Sequence, residues 1–530
     1  MTNIPRLYRT IKHLTLKQIY FRLYYYIINR LLPVNFKKIA EGKTCTRAVP
    51  YEIKFRFIPA SNSYKPPSSF SFLNISHDFK NNIDWNLSCY SKLWTYNLNY
   101  FDYLLQPGIK IEKGIDLVKK YIKDLPEVKD GLEPYPTSIR IINWVKFCLQ
   151  NKINDELINK SIHGHTRFLS GRIEYHLLAN HLLENAFALC FGGFYTGDKE
   201  LFEKGRKLLS KELKEQILPD GAHFELSAMY HKIILEHLLD LIQITDVFPL
   251  HKNWGQSLKI FAGKMLGWIA AVSFYNSNIP LFNDAAFGIA PDTKSLLNYG
   301  ENLGIKSRKL SLKESGYRKF TGQDWEIVVD VGNITPSYQP GHAHADTFSF
   351  ELYYNGKPLI VDTGTSTYET CERRCLERAT KSHNTVELFK TNSSEVWSSH
   401  RVGRRAQVCI TEETSNIIVA SHNGYKNKGA IHQRSLQFKS DLIVIKDYVI
   451  FKKREKNKFA TAYFHFAPGF LPELKGSELY IYDDGIKIQF FGEIKSEIFK
   501  YNYAPQFNKL LQAFAVKVEF NEKLKTVINF

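Results

Sequence analysis

The feature that most constrains this chain is a change of hydrophobic period near its middle. From Trp85 to Gly304 apolar residues recur at three- and four-residue spacing, the period of helices that bury one face. Helices are expected over Ile115 to Leu125, Ile139 to Leu149, Tyr175 to Phe191, Lys199 to Ile217, Ser227 to Thr245 and Leu258 to Val272. Breaks such as Tyr195-Thr196-Gly197-Asp198 and Pro219-Asp220-Gly221 separate them, as turn residues separate the arms of helical hairpins. Beyond the basic connection Lys306-Ser307-Arg308-Lys309 the pattern changes. Trp325 to Val331, Phe348 to Tyr354, Ile417 to Ser421, Leu436 to Lys439, Leu442 to Asp447, Phe459 to Phe466 and Ile486 to Phe491 read as closely spaced strands. At 530 residues the chain exceeds one ordinary core. The expected class is therefore multidomain α+β: an N-terminal segment over 1–84, helical hairpins over 85–306 and an antiparallel β-sandwich-like domain over 307–530.

The N-terminal segment is set apart by its charge. No acidic residue precedes Glu41, whereas Arg6, Arg9, Lys12, Lys17, Arg22, Arg30, Lys37 and Lys38 are basic and enclose the aromatic run from Ile19 to Ile28. No apolar span of transmembrane length occurs, and no small-residue cleavage site follows a short apolar region. The expectation is a cytoplasmic or membrane-peripheral protein whose residues 1–40 either lie on an anionic membrane surface or pack as a solvated helix. The whole chain carries a formal charge of +18, which attracts polyanions. It is expected to concentrate along a cleft between the helical and β domains, where Arg140, Arg373 and Arg374 would meet substrate, the alternative being this N-terminal segment. No nucleic-acid motif, P-loop, dinucleotide fingerprint or HExxH accompanies the charge, so nucleic acid is not an expected partner. The seven cysteines (Cys45, Cys89, Cys148, Cys190, Cys371, Cys375 and Cys409) are odd in number and contain no CxxC, so they imply no disulfide framework.

Chemistry concentrates in three places. The first is Gly341-His342-Ala343-His344-Ala345-Asp346, followed by Val361-Asp362-Thr363-Gly364 and Ser382-His383-Asn384. Imidazoles and carboxylates arriving from neighbouring strands suit Zn²⁺ or a similar ion. If the first of these segments is strand, His342 and His344 share a face. The second is His176 to Asn185, where His176, Asn180 and Glu184 stack at four-residue spacing on the expected helix and His181 lies three from Glu184. The third is Asp220 to His231, where a Gly turn leads into a helix and puts Tyr230 and His231 near its N-terminus.

Together, Asn180-His181-x-x-Glu184, Gly-x-His-Phe-Glu-x-Ser-x-Met-Tyr-His, Gly-His-Ala-His-Ala-Asp, Val-Asp-Thr-Gly and His-Asn-Thr-Val resemble the heparinase II/III family of bacterial polysaccharide lyases. Trp94 to Phe101 and Pro134 to Trp144 resemble that family's N-terminal segments, so the likeness covers about residues 85 to 410. It implies an incomplete α/α toroid followed by the β-sandwich domain. It also implies cleavage of a uronate-containing acidic polysaccharide by β-elimination, in which a base takes the C5 proton and an acid protonates the leaving oxygen.

Carried over by motif, Asn180 and His181 match the positions that neutralise the uronate carboxylate, Tyr230 the catalytic tyrosine and His342 the catalytic histidine. Glu184 resembles a glutamate of the catalytic helix in part of the family. His344, Asp362 and His383 match the metal positions, with zinc favoured by two imidazoles and calcium the alternative. Arg140, Tyr368, Arg373 and Arg374 are candidates for gripping an acidic chain. Family precedent is periplasmic, but the basic aromatic N-terminus resembles relatives associated with bacterial surface-polysaccharide assembly, which implies editing of an endogenous polymer. Two other readings remain: a non-catalytic acidic-glycan-binding or assembly protein on this fold, and a glycan hydrolase using metal-bound water.

Overall fold

The computed structural model describes the chain except residues 1–3, 32–35, 41, 44–46, 51–52, 81, 249–250 and 452–458. Glu41 and Cys45 lie outside the described residues. Two N-terminal helices, α1 (Ile4–Ile11) and α2 (Leu16–Leu31), precede the short α3 (Phe36–Ala40). The helical part follows as α4 (Lys92–Tyr100), α5 (Ile111–Asp124), α6 (Pro134–Gln150), α7 (Glu156–Ser170), α8 (Ala179–Thr196), α9 (Lys199–Gln216), α10 (Ala228–Asp246), α11 (Lys252–Val272) and α12 (Thr293–Asn302).

The hairpin connections form for local reasons. Gly197 ends α8 at φ 71°, a backbone region that costs an L side chain energy, and Asp198 then caps α9 by accepting from the Leu201 amide at 3.2 Å. Ser227 caps α10 through the Tyr230 amide at 3.3 Å. Helices α4, α7 and α12 were not among the expected segments. In α7, His163, His165 and Thr166 are buried beside the apolar residues, so polar residues interrupt the apolar period there.

The helical core is continuous. Ile39, Val49, Phe55, Tyr64, Phe70 and Trp85 bury in the same cluster as Trp144, Phe187 and Leu238, and so do Tyr317, Tyr353 and Tyr503 of the β-domain. Two large antiparallel sheets form the body of that domain among the described residues, beside a two-stranded ribbon of Val396–Trp397 and Arg401–Val402. One has four strands in the order Tyr317–Thr321, Trp325–Asp330, Phe350–Tyr354, Lys357–Ile360. The other has ten, and its centre is the long hairpin Ile486–Gln506 and Lys509–Asn529. Ile327, Val329, Phe350 and Leu352 of the first sheet share a second core with Ile418, Leu436, Ile443 and Val518 of the other. Inward faces of two sheets meeting in one apolar layer make a β-sandwich. The helical N-terminal part with an antiparallel sandwich behind it is the expected class.

Candidate active site

A cleft of about 840 Å³ opens between the two parts. The helical side contributes Tyr96, Tyr100, Tyr135, Asn180, His181, Glu225 and Tyr230, and the β-domain contributes Gln339, Gly341, His342, Tyr368 and His400. Asn180, Tyr230 and His342 are therefore brought together from segments as much as 162 residues apart.

Asn180 sits at the start of α8, and the backbone before it is unusual. Leu178 and Ala179 adopt φ of 66° and 55°, and Leu226, next to Glu225, adopts 54°. Such conformations cost on the order of 1–3 kcal/mol each and persist where surrounding contacts enforce them. Here the contacts are explicit. Glu225 accepts from the Asn180 amide N–H at 3.1 Å and from its side-chain Nδ2 at 2.8 Å, while Nδ2 lies 3.2 Å from His342 Nε2. The buried Asn180 Oδ1 has no partner. The same break takes His176 off the helix into the preceding turn. The expected stack of His176, Asn180 and Glu184 is therefore corrected: two consecutive residues with positive φ end the helical period that the sequence carries through this point.

His342 is held by Asp284, whose Oδ2 accepts from Nδ1 at 2.9 Å. With Nδ1 donating to Asp284, Nε2 is the nitrogen directed at Asn180. The Tyr230 ring lies against the His342 ring with centroids 4.1 Å apart, and the Tyr230 hydroxyl is 3.3 Å from that of Tyr368. Burial, aided by the Asp284 and Glu225 charges, raises the Tyr230 hydroxyl well above its ordinary pKa, so it is a neutral proton donor. His181 bonds Glu174 at 3.1 Å and contacts Tyr135 at 4.8 Å between centroids. Burial opposes its charge, but Glu174 prevails and raises its pKa above that of a free imidazole.

Asp284 organises the site although no sequence signal marked it. It is fully buried, accepts from His342 and His344, and forms a bidentate pair with Arg374. Burial alone would raise its pKa; Arg374 and the two histidines instead hold it well below the usual carboxylate range. Ser227 donates to the Asp284 carbonyl at 2.6 Å while capping α10. One serine therefore locks the Tyr230 helix to the Asp284 loop.

Several expected residues act elsewhere. Glu184 does not line the cleft; it pairs with His237 at 2.7 Å behind it. Arg140 is fully buried and donates to the Asn99 and Gly131 carbonyls and to Thr137, so it braces α6 and grips no ligand. Arg373 is tied to Glu377 and to the Asn502 carbonyl away from the cleft. Arg374 reaches the site only through Asp284 and by lying 5.0 Å over the Tyr368 ring. Of the four proposed grips, Tyr368 alone lines the cleft. Tyr96, Tyr100 and Tyr135, which no motif marked as site residues, form a row with neighbouring centroids 6.4 and 6.2 Å apart leading to His181. The four-residue spacing of Tyr96 and Tyr100 was the available signal.

His342 and His344 do not share a strand face. They lie in the turn-rich stretch before Phe350–Tyr354 and converge because both bond Asp284. Among the described residues the set of ligand atoms lying within 4.8 Å of one another is Asp284, His342 and His400, rather than His344, Asp362 and His383. The bidentate Arg374 already supplies Asp284 with a positive partner. The other three are nonetheless close. His383 Nδ1 is 2.7 Å from Asp362 Oδ2, and the His344 and His383 rings are 5.3 Å apart. Gly364, at φ 77° and so close to the Ala504 carbonyl that a Cβ would clash with it, turns the chain so that its N–H reaches Asp362 at 3.0 Å. His344 Nδ1 and His383 Nε2 are buried without hydrogen-bond partners. Burial and neighbouring carboxylates raise the pKa of Asp330, Asp346 and Glu351 around them. Orphaned imidazole nitrogens amid buried acids fit a divalent cation. Cys371 and Cys375 are exposed free thiols.

A helical array joined to an antiparallel sandwich, with Asn, Tyr and His converging between them, defines a class of two-part proteins with an interdomain cleft. Heparinase II/III N-terminus matches residues 137–301, and Heparinase II/III-like, C-terminal matches 305–530. The chain belongs to the heparinase II/III-like family. It is 26% identical over 292 residues to a heparin-sulfate lyase of Bacteroides stercoris, covering 50% of this chain and 42% of that one. It is 24% identical over 379 residues to a heparin-sulfate lyase of Pedobacter heparinus, covering 66% and 54%. The chain thus spans about half the length of the curated relatives it matches. Among solved structures, that of heparinase III superposes with a TM-score of 0.66 at 16% identity over 97% of this chain and 91% of the other, which establishes the shared fold.

Proposed function

We propose that the protein is a polysaccharide lyase that cleaves a uronate-containing acidic polysaccharide by β-elimination. The observation that carries this reading is the convergence of Tyr230, His342 and Asn180 on one cleft from both parts of the chain. Likeness to heparin-sulfate lyases supports the substrate class. In this reading His342 Nε2 takes the C5 proton, because Nδ1 already donates its own proton to Asp284. The neutral Tyr230 hydroxyl gives its proton to the glycosidic oxygen as that bond breaks. Negative charge developing on the uronate carboxylate is met by the Asn180 Nδ2 hydrogen that turns from His342 Nε2 to the substrate as that nitrogen engages the C5 proton. It is met also by His181, whose charged form Glu174 favours. The tyrosine row from Tyr96 to Tyr135 offers apolar faces to sugar rings, and Tyr368 orients the Tyr230 hydroxyl.

His344, Asp362 and His383 would hold one divalent ion, with zinc the best match to two imidazoles and a carboxylate. When bound, it would neutralise buried negative charge and fix the 361–364 and 382–385 segments behind the cleft wall. A non-catalytic binder has no use for a neutral tyrosine stacked on an imidazole that a buried carboxylate orients, and a hydrolase built on Asp284, His342 and His400 would have to displace Arg374. The test is mixing the protein with a panel of acidic polysaccharides and following ultraviolet absorbance, since β-elimination creates a conjugated unsaturated uronate. Chain cleavage without that absorbance would contradict the reading.

A further inference from the structure

Helices α1 and α2 carry a second apolar face that covers nothing. On α2 the inward side is satisfied: Gln18 donates to the Tyr338 carbonyl at 3.2 Å, Phe21 rests on Tyr175 with centroids 4.7 Å apart, and the Tyr25 hydroxyl bonds the Ile173 carbonyl. The outward side shows Leu16 (85% exposed), Tyr20 (61%), Leu23 (62%), Ile27 (52%) and Leu31 (68%). That spacing is one continuous stripe along a helix. The shorter α1 repeats the pattern with Ile4, Tyr8 and Ile11, at 76%, 70% and 44% exposure. Its other side is fastened to the β-domain, where Arg9 pairs with Glu395 at 2.7 Å and Trp397 donates to Thr10. Both helices are thus held by the body of the protein, and the outward stripes are what remains.

We propose that these stripes dock the protein on an anionic lipid surface. Charge selects this occupant. Lys12 and Arg30 are exposed beside the stripes, and no Asp or Glu occurs among the first forty residues. Aromatic and aliphatic side chains flanked by Lys and Arg are the composition of helices that lie in the headgroup region. A second copy of the chain would bring the same cations face to face. No helix among the described residues is long and apolar enough to cross a membrane, so the helices lie along the surface. Tyr25 of α2 lines the cleft while Leu23 and Ile27 lie on its exposed side, so docking would place α2 between the cleft and the lipid. The inference is independent of the lyase reading.

The experiment uses the full chain with vesicles of phosphatidylcholine alone and of phosphatidylcholine with phosphatidylglycerol, read by co-sedimentation. Wild type should sediment with the anionic vesicles only. Two variants separate the contributions: Leu16→Glu with Leu23→Glu and Ile27→Glu, and Lys12→Gln with Arg30→Gln. Each should lower partitioning by about tenfold or more, since each cation near an anionic surface and each buried apolar side chain contributes measurably. Thermal unfolding should be unchanged in both, because the altered side chains face solvent. Equal binding to neutral vesicles, no binding to either composition, or undiminished binding by the cation variant would overturn the proposal. So would a lipid-free dimer that the glutamate variant abolishes, which would assign the stripe to a second copy.

Discussion

Asp284 and His342 meet at 2.9 Å, Oδ2 to Nδ1, and the same carboxylate reaches His344 with its other oxygen at 2.9 Å. One buried acid therefore sets the tautomer of the candidate base and steadies a candidate metal ligand. Asp284→Asn should lower turnover and stability together. Removing one partner of the buried Asp284–Arg374 pair costs about 3–5 kcal/mol, read as a lowered thermal midpoint. The folded pKa of Asp284 is depressed, so its contribution is present above the unfolded value of about 3.9 and is lost only as pH falls through the lower folded value. Acid unfolding of wild type and variant should accordingly converge at low pH, and parallel curves would count against this role.

Tyr230→Phe and Asn180→Ala should fail differently. Loss of the tyrosine hydroxyl removes the proton donor and should reduce kcat by about a hundred- to ten-thousandfold with KM nearly unchanged. Asn180→Ala should reduce kcat by about a hundredfold or more through lost carboxylate stabilisation, with the proton donor intact. A substrate whose leaving group needs no protonation should rescue the first variant and leave the second impaired. Rescue of both equally would merge the two roles.

His181 supplies an alkaline limb. Its folded pKa is raised by Glu174 over the opposing effect of burial, so the cation and its stabilising contribution are fully present below the unfolded value of about 6.5. Both are lost as pH rises through the folded value. The pH profile of kcat/KM should descend on that side, and Glu174→Gln should move the descent to lower pH. An unmoved profile would remove His181 from carboxylate neutralisation.

Purified protein should contain near-stoichiometric zinc by elemental analysis, and His383→Ala should lose it. Chelation should lower the thermal midpoint of wild type more than that of the variant. Metal-free protein of unchanged stability would end the proposal for His344, Asp362 and His383.

Arg140→Met should leave KM unchanged and destabilise the helical part. Each buried carbonyl left without its donor costs about 1–3 kcal/mol, and Arg140 serves those of Asn99 and Gly131. A raised KM with unchanged stability would return Arg140 to substrate binding.

The fold class was legible because the two halves obey different periods, and the start of α10 was legible because Ser227 is a capping residue placed ahead of an apolar run. Asn180, Tyr230 and His342 were found through motifs, which encode chemistry at fixed local spacing. What was missed is non-local. Helix α6 is buried almost all round, so a charge on it had to point inward, but periodicity alone cannot separate a buried arginine from one facing a cleft. The break at Leu178 and Ala179 is imposed by Glu225 from a different segment. Asp284 lies in an irregular loop, and its importance comes wholly from His342, His344 and Arg374, each at least fifty-eight residues away.

The most direct test of the central claim is ultraviolet-monitored digestion of heparan sulfate, chondroitin sulfate and other uronate polymers by wild type, Tyr230→Phe and His342→Ala. Wild type should produce rising absorbance from unsaturated uronate with at least one polymer, and both variants should lose it while remaining folded and still binding that polymer. Cleavage of the chain with no absorbance change, or undiminished absorbance in Tyr230→Phe, would contradict the account.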